Sequence, residues 1–259
     1  MKLSLSTNWL NRKFERGEEI ADKALELGFE ELELGFHTTD QQVKGFKARL
    51  DKIPVGSVHA FCPVPISAPG GYPELYALAS FEEEERKMAH FQIVKNIRFA
   101  AEMGADALVL HTGRIKRMGL KFFTRRRIKK MSEIFKSEVD ALIPELEKNR
   151  VTLGIENMPY LEGFPNKDEI EPYLGDWVKG WFDIGHDFVH PGYRGDIVGV
   201  HINDSQGGDD HLAPGMGKVD FAAQKPIMEK ARHLVFEPNV EITEKELLKG
   251  MDLIRKILT

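Results

Sequence analysis

Short apolar runs alternate with longer amphipathic stretches from one end of the chain to the other. The runs cover residues 3–6, 31–34, 55–59, 107–111, 151–156, 180–183, 197–202 and 234–237, eight in all. Their length and their Val, Ile and Leu content predict buried strands. Between them, apolar residues recur at helical spacing over 17–27, 40–51, 80–103, 124–148, 166–173, 221–231 and 243–257, with a short or missing helix after the sixth run. A strand followed by a helix, repeated along the chain, is the rhythm of a parallel sheet built from βα units, and eight strands predict closure. The expected fold class is therefore α/β, a single (β/α)8 TIM barrel. With 259 residues and no long Pro/Ser-rich linker the chain has the size such a barrel needs, about 250 residues, so one domain over 1–259 is expected.

Helix punctuation agrees. Ser80 with Glu83 and Thr243 with Glu246 each read as a capping box, in which the hydroxyl and the glutamate satisfy orphan amides of the first turn. Gly28 and Gly104 each close a helix ahead of a strand, where the chain must turn through positive φ. The long segments 60–80 and 203–220 follow the third and seventh strands, on the face where barrels carry substrate loops, and are candidate lids or site walls.

Several predicted strands finish in a side chain able to ligate metal. The fourth ends at His111, the fifth at Glu156, the sixth at Asp183 and the eighth at Glu237; the third reaches His59, and His201 stands within the seventh. Strand side chains alternate, so Thr152, Gly154 and Glu156 share one face and Val151, Leu153 and Ile155 the other. Leu108 and Leu110 likewise oppose Val109 and His111, and Leu234 and Phe236 oppose Val235 and Glu237. With the aliphatic faces turned to the helices, the polar strand ends face the barrel axis. Two local motifs add to them. Asp183-Ile184-Gly185-His186 places a carboxylate and an imidazole around a glycine that would let the backbone turn both inward. His201-Ile202-Asn203-Asp204-Ser205 is followed by Asp209-Asp210-His211 and Gly215-Met216-Gly217.

Singly, each of these residues has a bland reading: a strand-end His is usually a hydrogen-bonded turn or core residue, and Asp or Glu there is commonly an N-cap. Together they do not, because carboxylates crowded at an inward mouth repel one another and lose solvation unless a cation neutralises them. The single cysteine, Cys62, removes both an intramolecular disulfide and a thiolate metal site. Nitrogen and oxygen ligands without thiolate suit a divalent metal, Zn²⁺ or Mn²⁺ first, with Co²⁺ or Mg²⁺ as alternatives.

Composition narrows the partners. Charged residues make up 30% of the chain and hydrophobic ones 42%, an ordinary globular balance. The net charge of −5 provides no broad basic footprint for nucleic acid, the run Arg125, Arg126, Arg127, Lys129 and Lys130 being a local exception. No signal-peptide core and no run of about 18 apolar residues is present, so no membrane partner and a soluble cytoplasmic protein are expected.

The motifs Val58-His59-Ala60, Leu110-His111-Thr112-Gly113, Ile155-Glu156-Asn157-Met158-Pro159, Asp183-Ile184-Gly185-His186, His201-Ile202-Asn203-Asp204 and Asp210-His211-Leu212-Ala213-Pro214-Gly215-Met216-Gly217 occur in this order. As a set they resemble the xylose-isomerase-like barrels, which include sugar isomerases and epimerases and, more distantly, the type-four apurinic-site endonucleases. In the epimerase branch, the resemblance implies one metal held by Glu156, Asp183, His201 and Glu237. Glu156 and Glu237 would exchange a proton next to a sugar carbonyl, and His186 would bind a substrate hydroxyl. The implied substrate is a small carbohydrate. Relatives are frequently dimers or tetramers, which makes a homo-oligomer an expectation. Two departures stand out. The ketose 3-epimerases place a substrate-binding arginine six residues after the strand-seven histidine, where this chain has Gly207, and the glutamate often found between the two loop glycines is Met216 here.

The endonuclease branch uses three zinc ions and nine ligands. Its pattern carries over to His59, His111, Glu156, Asp183, His186, His201, Asp209, His211 and Glu237, which would make the chain a zinc phosphodiesterase acting on abasic DNA. Sugar-acid or polyol dehydratase chemistry on the same site is a third reading, since a fold and a ligand set do not fix a reaction.

Overall fold

The computed structural model describes residues 2–66, 68, 70–112, 125–159, 170–189, 191, 193 and 195–259. Eight parallel strands run in sequential order: β1 (Leu3–Ser6), β2 (Glu31–Leu34), β3 (Val55–His59), β4 (Ala107–Leu110), β5 (Thr152–Glu156), β6 (Val178–Asp183), β7 (Ile197–Ile202) and β8 (His233–Phe236). The last pairs with the first through Leu3 with Leu234 and Leu5 with Phe236, so the sheet closes into the expected barrel. Among the described residues the α-helices are α1 (Gly17–Glu26), α2 (Asp40–Lys47), α3 (Glu83–Glu102), α4 (Arg125–Asn149), α5 (Ile184–Val189), α6 (Phe221–Met228) and α7 (Glu244–Leu258).

Alternation sorts the side chains as the sequence predicts. Leu108, Leu110, Leu153, Ile155, Leu234 and Phe236 pack outward into the core shared with the helices. Ala107, Val109, Trp181, Val198 and Val235 form a separate cluster inside the barrel. Trp181 fills the axis because its neighbours make room: a Cβ on Gly154 or Gly199 would lie 2.9 or 2.4 Å from the indole. The helices present matching stripes, in α7 Leu247, Gly250, Met251 and Ile254, whose spacing of three and four residues keeps them on one buried face.

The elements depart from expectation at their ends. Thr243 and Glu246 form the capping box expected of them, but Ser80 and Glu83 do not. Helix α3 starts later, and Ser80 instead accepts from the amide of Glu82 at 3.1 Å and donates to Glu85 at 2.6 Å. Of the helix expected over 166–173, residues 166–169 lie outside the described part, and Glu171–Tyr173 form one 3-10 turn. Helix α6 stops at Met228 instead of reaching 231. Gly28 and Gly104 adopt the expected positive φ, at 86° and 80°. In the basic run, Lys129 and Lys130 are exposed on α4, and the side chains of Arg125, Arg126 and Arg127 lie outside the described residues. No helix among the described residues is long and apolar enough to cross a membrane.

Candidate metal centre

Barrel closure brings the polar strand ends together at one mouth. His59 ends β3, Glu156 ends β5, Asp183 ends β6 and His201 lies in β7, while His111 and Glu237 stand one residue beyond β4 and β8. His201 Nδ1 lies 3.1 Å from Glu237 Oε2, 3.3 Å from Glu156 Oε1 and 3.7 Å from Asp183 Oδ2. Glu156 is the hub. Its Oε2 lies 3.0 Å from His111 Nε2 and 3.3 Å from His59 Nε2, and its Oε1 lies 3.4 Å from His186 Nδ1. His186 Nε2 and His211 Nε2 share Asp209 Oδ1 at 3.2 and 3.1 Å. All nine side chains named from the sequence therefore meet. Eight of them fall into three sets whose ligand atoms lie within 4.8 Å of one another: His59, His111 and Glu156; Asp183, His186 and His211; and Glu156, Asp183, His201 and Glu237; Asp209 joins the second through its contacts with His186 and His211.

Local structure fixes these groups. Asn157 exchanges two hydrogen bonds with Asp183, its Oδ1 accepting from the Asp183 amide at 2.7 Å and its Nδ2 donating to the Asp183 carbonyl at 3.0 Å. The Asp183 carboxylate accepts from the His186 amide at 2.7 Å and from Asn203 Nδ2 at 2.6 Å. Gly185 serves close approach and not the bend expected of it: the segment is helical, and a Cβ there would sit 1.9 Å from Asn203 Oδ1. In the loop after β7, buried Asp204 accepts from the amides of Ser205, Gly215, Gly217 and Val219 and holds the loop in shape. Asp210 likewise accepts from the Gln206 and Gly208 amides, leaving Asp209 to face the histidines. His211 takes a φ of 46°, uncommon for a side-chain-bearing residue, and the Glu237 carbonyl at 3.0 Å from its Nδ1 and the Asn239 amide on its own carbonyl hold it there.

Charge is what sets the mouth apart. Burial alone would drive His111, His201 and His211 neutral, but the facing carboxylates overcome it. Glu156 and Glu74 push His111 up to about 10, Asp209 and Glu237 push His211 up to about 10, and Glu237, Glu33 and Glu156 hold His201 well above its ordinary value. Burial would raise the Glu156 carboxyl, yet His111 and His201 hold it well below the usual carboxylate range. No Lys or Arg pairs with Glu33, Glu156, Asp183 or Glu237 among the described residues, so the facing imidazoles, when protonated, supply the compensating charge. A donor set of buried carboxylates and imidazoles with no fixed cation among the described residues fits a divalent metal, whose binding would release those protons.

Sequence reasoning missed three contributors. Glu33, fully buried in β2, lies 3.2 Å from His201 Nε2. The pattern Glu31-Leu32-Glu33-Leu34 carried the same alternation signal as the other strands. Glu74 reaches His111 Nδ1 at 3.0 Å from within the loop after β3, and Asn8 donates to Glu237 Oε1 at 3.4 Å from the turn after β1; neither has a local sequence signature. Gly207 stands at a φ of 128°, a backbone state that an arginine in its place would rarely adopt.

The sequence profile described as "Xylose isomerase-like TIM barrel" matches residues 21–257. No curated protein matches the chain. Among solved structures, a D-tagatose 3-epimerase-like protein is 20% identical with a TM-score of 0.75, covering 100% of this chain and 97% of its own. The 3-keto-D-glucoside 4-epimerase YcjR from E. coli is 17% identical with a TM-score of 0.78, covering 99% of both chains. The IolI protein with a bound zinc atom is 13% identical with a TM-score of 0.71, covering 100% of this chain and 98% of its own. Identities this low speak to the fold alone, whereas the profile spans nearly the whole sequence: the chain belongs to the xylose isomerase-like TIM barrel family.

Proposed function

We propose that this protein is a divalent-metal-dependent sugar or sugar-phosphate isomerase or epimerase that moves a proton next to a carbonyl. The observation that carries the reading is His201 Nδ1 facing one oxygen each of Glu156, Asp183 and Glu237 within 3.7 Å. One imidazole and three carboxylates form a donor set for a single divalent cation, zinc or manganese before cobalt or magnesium. Glu156, Asp183, His201 and Glu237 would hold the cation, which would supply Lewis-acid polarisation of substrate oxygens. The chain's own groups do the rest. Glu156 and Glu237 come from strands three apart around the barrel, so one takes the proton from a substrate carbon and the other returns it. His186 holds a substrate hydroxyl, and the buried setting of both glutamates keeps bulk water from competing. Two structural neighbours are sugar epimerases or epimerase-like, which supports a small carbohydrate substrate. Gly207 in place of an arginine points away from the ketose 3-epimerase mode of gripping it.

Incubating the metal-loaded protein with ketoses and ketose phosphates in heavy water tests this. Solvent deuterium should enter at a carbon beside the carbonyl, with about one metal per chain. No exchange from any of them with the site loaded would overturn the proposal. The other two ligand sets, around His59 with His111 and around His186 with His211, favour a second reading as a zinc phosphodiesterase. That reading requires about two to three zinc ions per chain and cleavage of an abasic-site duplex.

A further inference from the structure

His201 has two ring nitrogens and two different neighbourhoods. Nδ1 faces the three carboxylate oxygens of the metal set, whereas Nε2 points down the barrel axis to Glu33, 3.2 Å from Oε1 and 3.3 Å from Oε2. Glu33 is itself fixed: Ser57 Oγ on β3 donates to its Oε2 at 2.8 Å. The ring cannot easily turn over, since the His59 ring stacks on it with centroids 5.8 Å apart and the Trp181 ring meets it edge-on at 5.3 Å. Glu33, Ser57 and His201 are all buried to 1% exposure or less, so bulk water is not a substitute partner.

A neutral imidazole carries one N–H. If Nδ1 is to offer a lone pair to a cation, the proton must sit on Nε2 and needs an acceptor in a place without solvent. We infer that Glu33 is the positioning residue that keeps the His201 proton on Nε2 and so presents Nδ1 to the metal, with Ser57 holding the Glu33 carboxylate in line. It does not touch the metal or the substrate; it acts through His201, by fixing the tautomer, the ring plane and the basicity of Nδ1. The inference rests on the metal-dependent reading above.

The test is metal affinity, read apart from turnover. Wild type, Glu33→Leu, Glu33→Gln and Ser57→Ala are titrated with Co²⁺ against a competing chelator, and the visible Co²⁺ absorption is recorded. Glu33→Leu should bind about ten- to hundred-fold more weakly with an altered Co²⁺ spectrum. Glu33→Gln should keep most of the affinity, because its amide oxygen accepts the same N–H. A Glu33 that merely filled space would give equal losses in thermal stability for Leu and Gln and unchanged cation affinity, and Glu33→Leu binding as tightly as wild type overturns the inference. Should the Leu variant not fold, ¹⁵N imidazole spectra of metal-loaded wild type, assigned with His201→Ala, decide the matter. A protonated Nε2 and a metal-bearing Nδ1 support it, and the reverse overturns it. Wild type that takes up no divalent cation overturns the metal-dependent reading and this inference with it, whereas wild type that binds while Glu33→Leu binds equally removes the inference alone.

Discussion

The barrel buries histidine among carboxylates at both ends, yet among the described residues only one end lacks a fixed cation. At the floor, His233 Nε2 lies 2.7 Å from Asp106 Oδ1 and its Nδ1 lies 3.4 Å from Glu31 Oε2. Arg232 closes the group on Asp106 at 2.8 Å, and Ser4 donates to Glu31 at 2.9 Å. Negative and positive groups alternate, and half-exposed Asp106 and Arg232 carry the charge out to water. At the mouth, four imidazoles crowd one carboxylate, Glu156, and Glu33, Asp183 and Glu237 are buried beside it without a guanidinium or ammonium partner among the described residues. Trp181 separates the two ends, its ring 5.3 Å from that of His201 and 6.0 Å from that of His233. The same residue types thus make a self-neutralised structural cluster at one end and, at the other, a carboxylate set without a fixed counter-charge among the described residues. Balance of permanent charge, and not the presence of His and Glu, marks the site.

The largest effect expected from breaking this contrast is at the hub. Glu156→Gln keeps the shape and removes the carboxylate that four histidines face. It should lower turnover by about 10²- to 10⁴-fold and reduce bound metal, with the circular dichroism spectrum of wild type. Full turnover by that variant would take Glu156 out of the chemistry.

His211→Ala separates one metal from several. His211 belongs to the set with Asp183 and His186, so it shares Asp183 with the His201 set, and it approaches Glu237 Oε2 at 3.7 Å without contacting Glu156. A multinuclear site predicts that this variant loses zinc equivalents, or binds the weakest ion about tenfold less tightly, while the cation at His201 stays. Unchanged metal content and unchanged rate would leave the phosphodiesterase reading without its main support.

The contrast also explains what the sequence could reveal. Alternation along β4, β5 and β8 is a local rule, so the inward aim of His111, Glu156 and Glu237 was legible from their neighbours. Convergence followed from eight strands closing, which spacing alone predicts. Glu33 obeyed the same alternation but stands mid-strand, one layer below the mouth, and its partner His201 lies 168 positions away. Glu74 sits in irregular backbone and Asn8 in a single 3-10 turn over Thr7–Trp9, too short for any periodicity to say which way a side chain points. The Ser80 box failed because Arg86 donates to the carbonyls of Ser80 and Phe81 at 2.9 and 3.1 Å, a competing set of bonds that holds the chain off the helix axis until Glu83. His233 is the instructive counterpart: it opens β8 at the end of the barrel opposite Glu237, and Asp106, Glu31 and Arg232 already balance its charge there.

The smallest effect expected is at the floor, and it is a dependence on pH. Burial alone would lower the His233 pKa, but the hydrogen bonds to Asp106 and Glu31 raise it above the ordinary value. Its contribution to stability is therefore complete below the unfolded-state value of about 6.5 and is lost as pH rises through the higher folded value. Burial would raise the carboxyls of Glu31 and Asp106, yet both are lowered by His233, so the same contact is complete above about 4 and is lost as pH falls through their depressed folded values. His233→Gln should thus cost about 1 kcal/mol in urea unfolding near pH 5 to 6, with the gap closing on either side of that window. Its Co²⁺ affinity should equal that of wild type, because Trp181 stands between the two groups. A floor variant that weakened metal binding would mean that the ends are electrostatically one site, and the distinction between a balanced cluster and a cation-seeking one would fail.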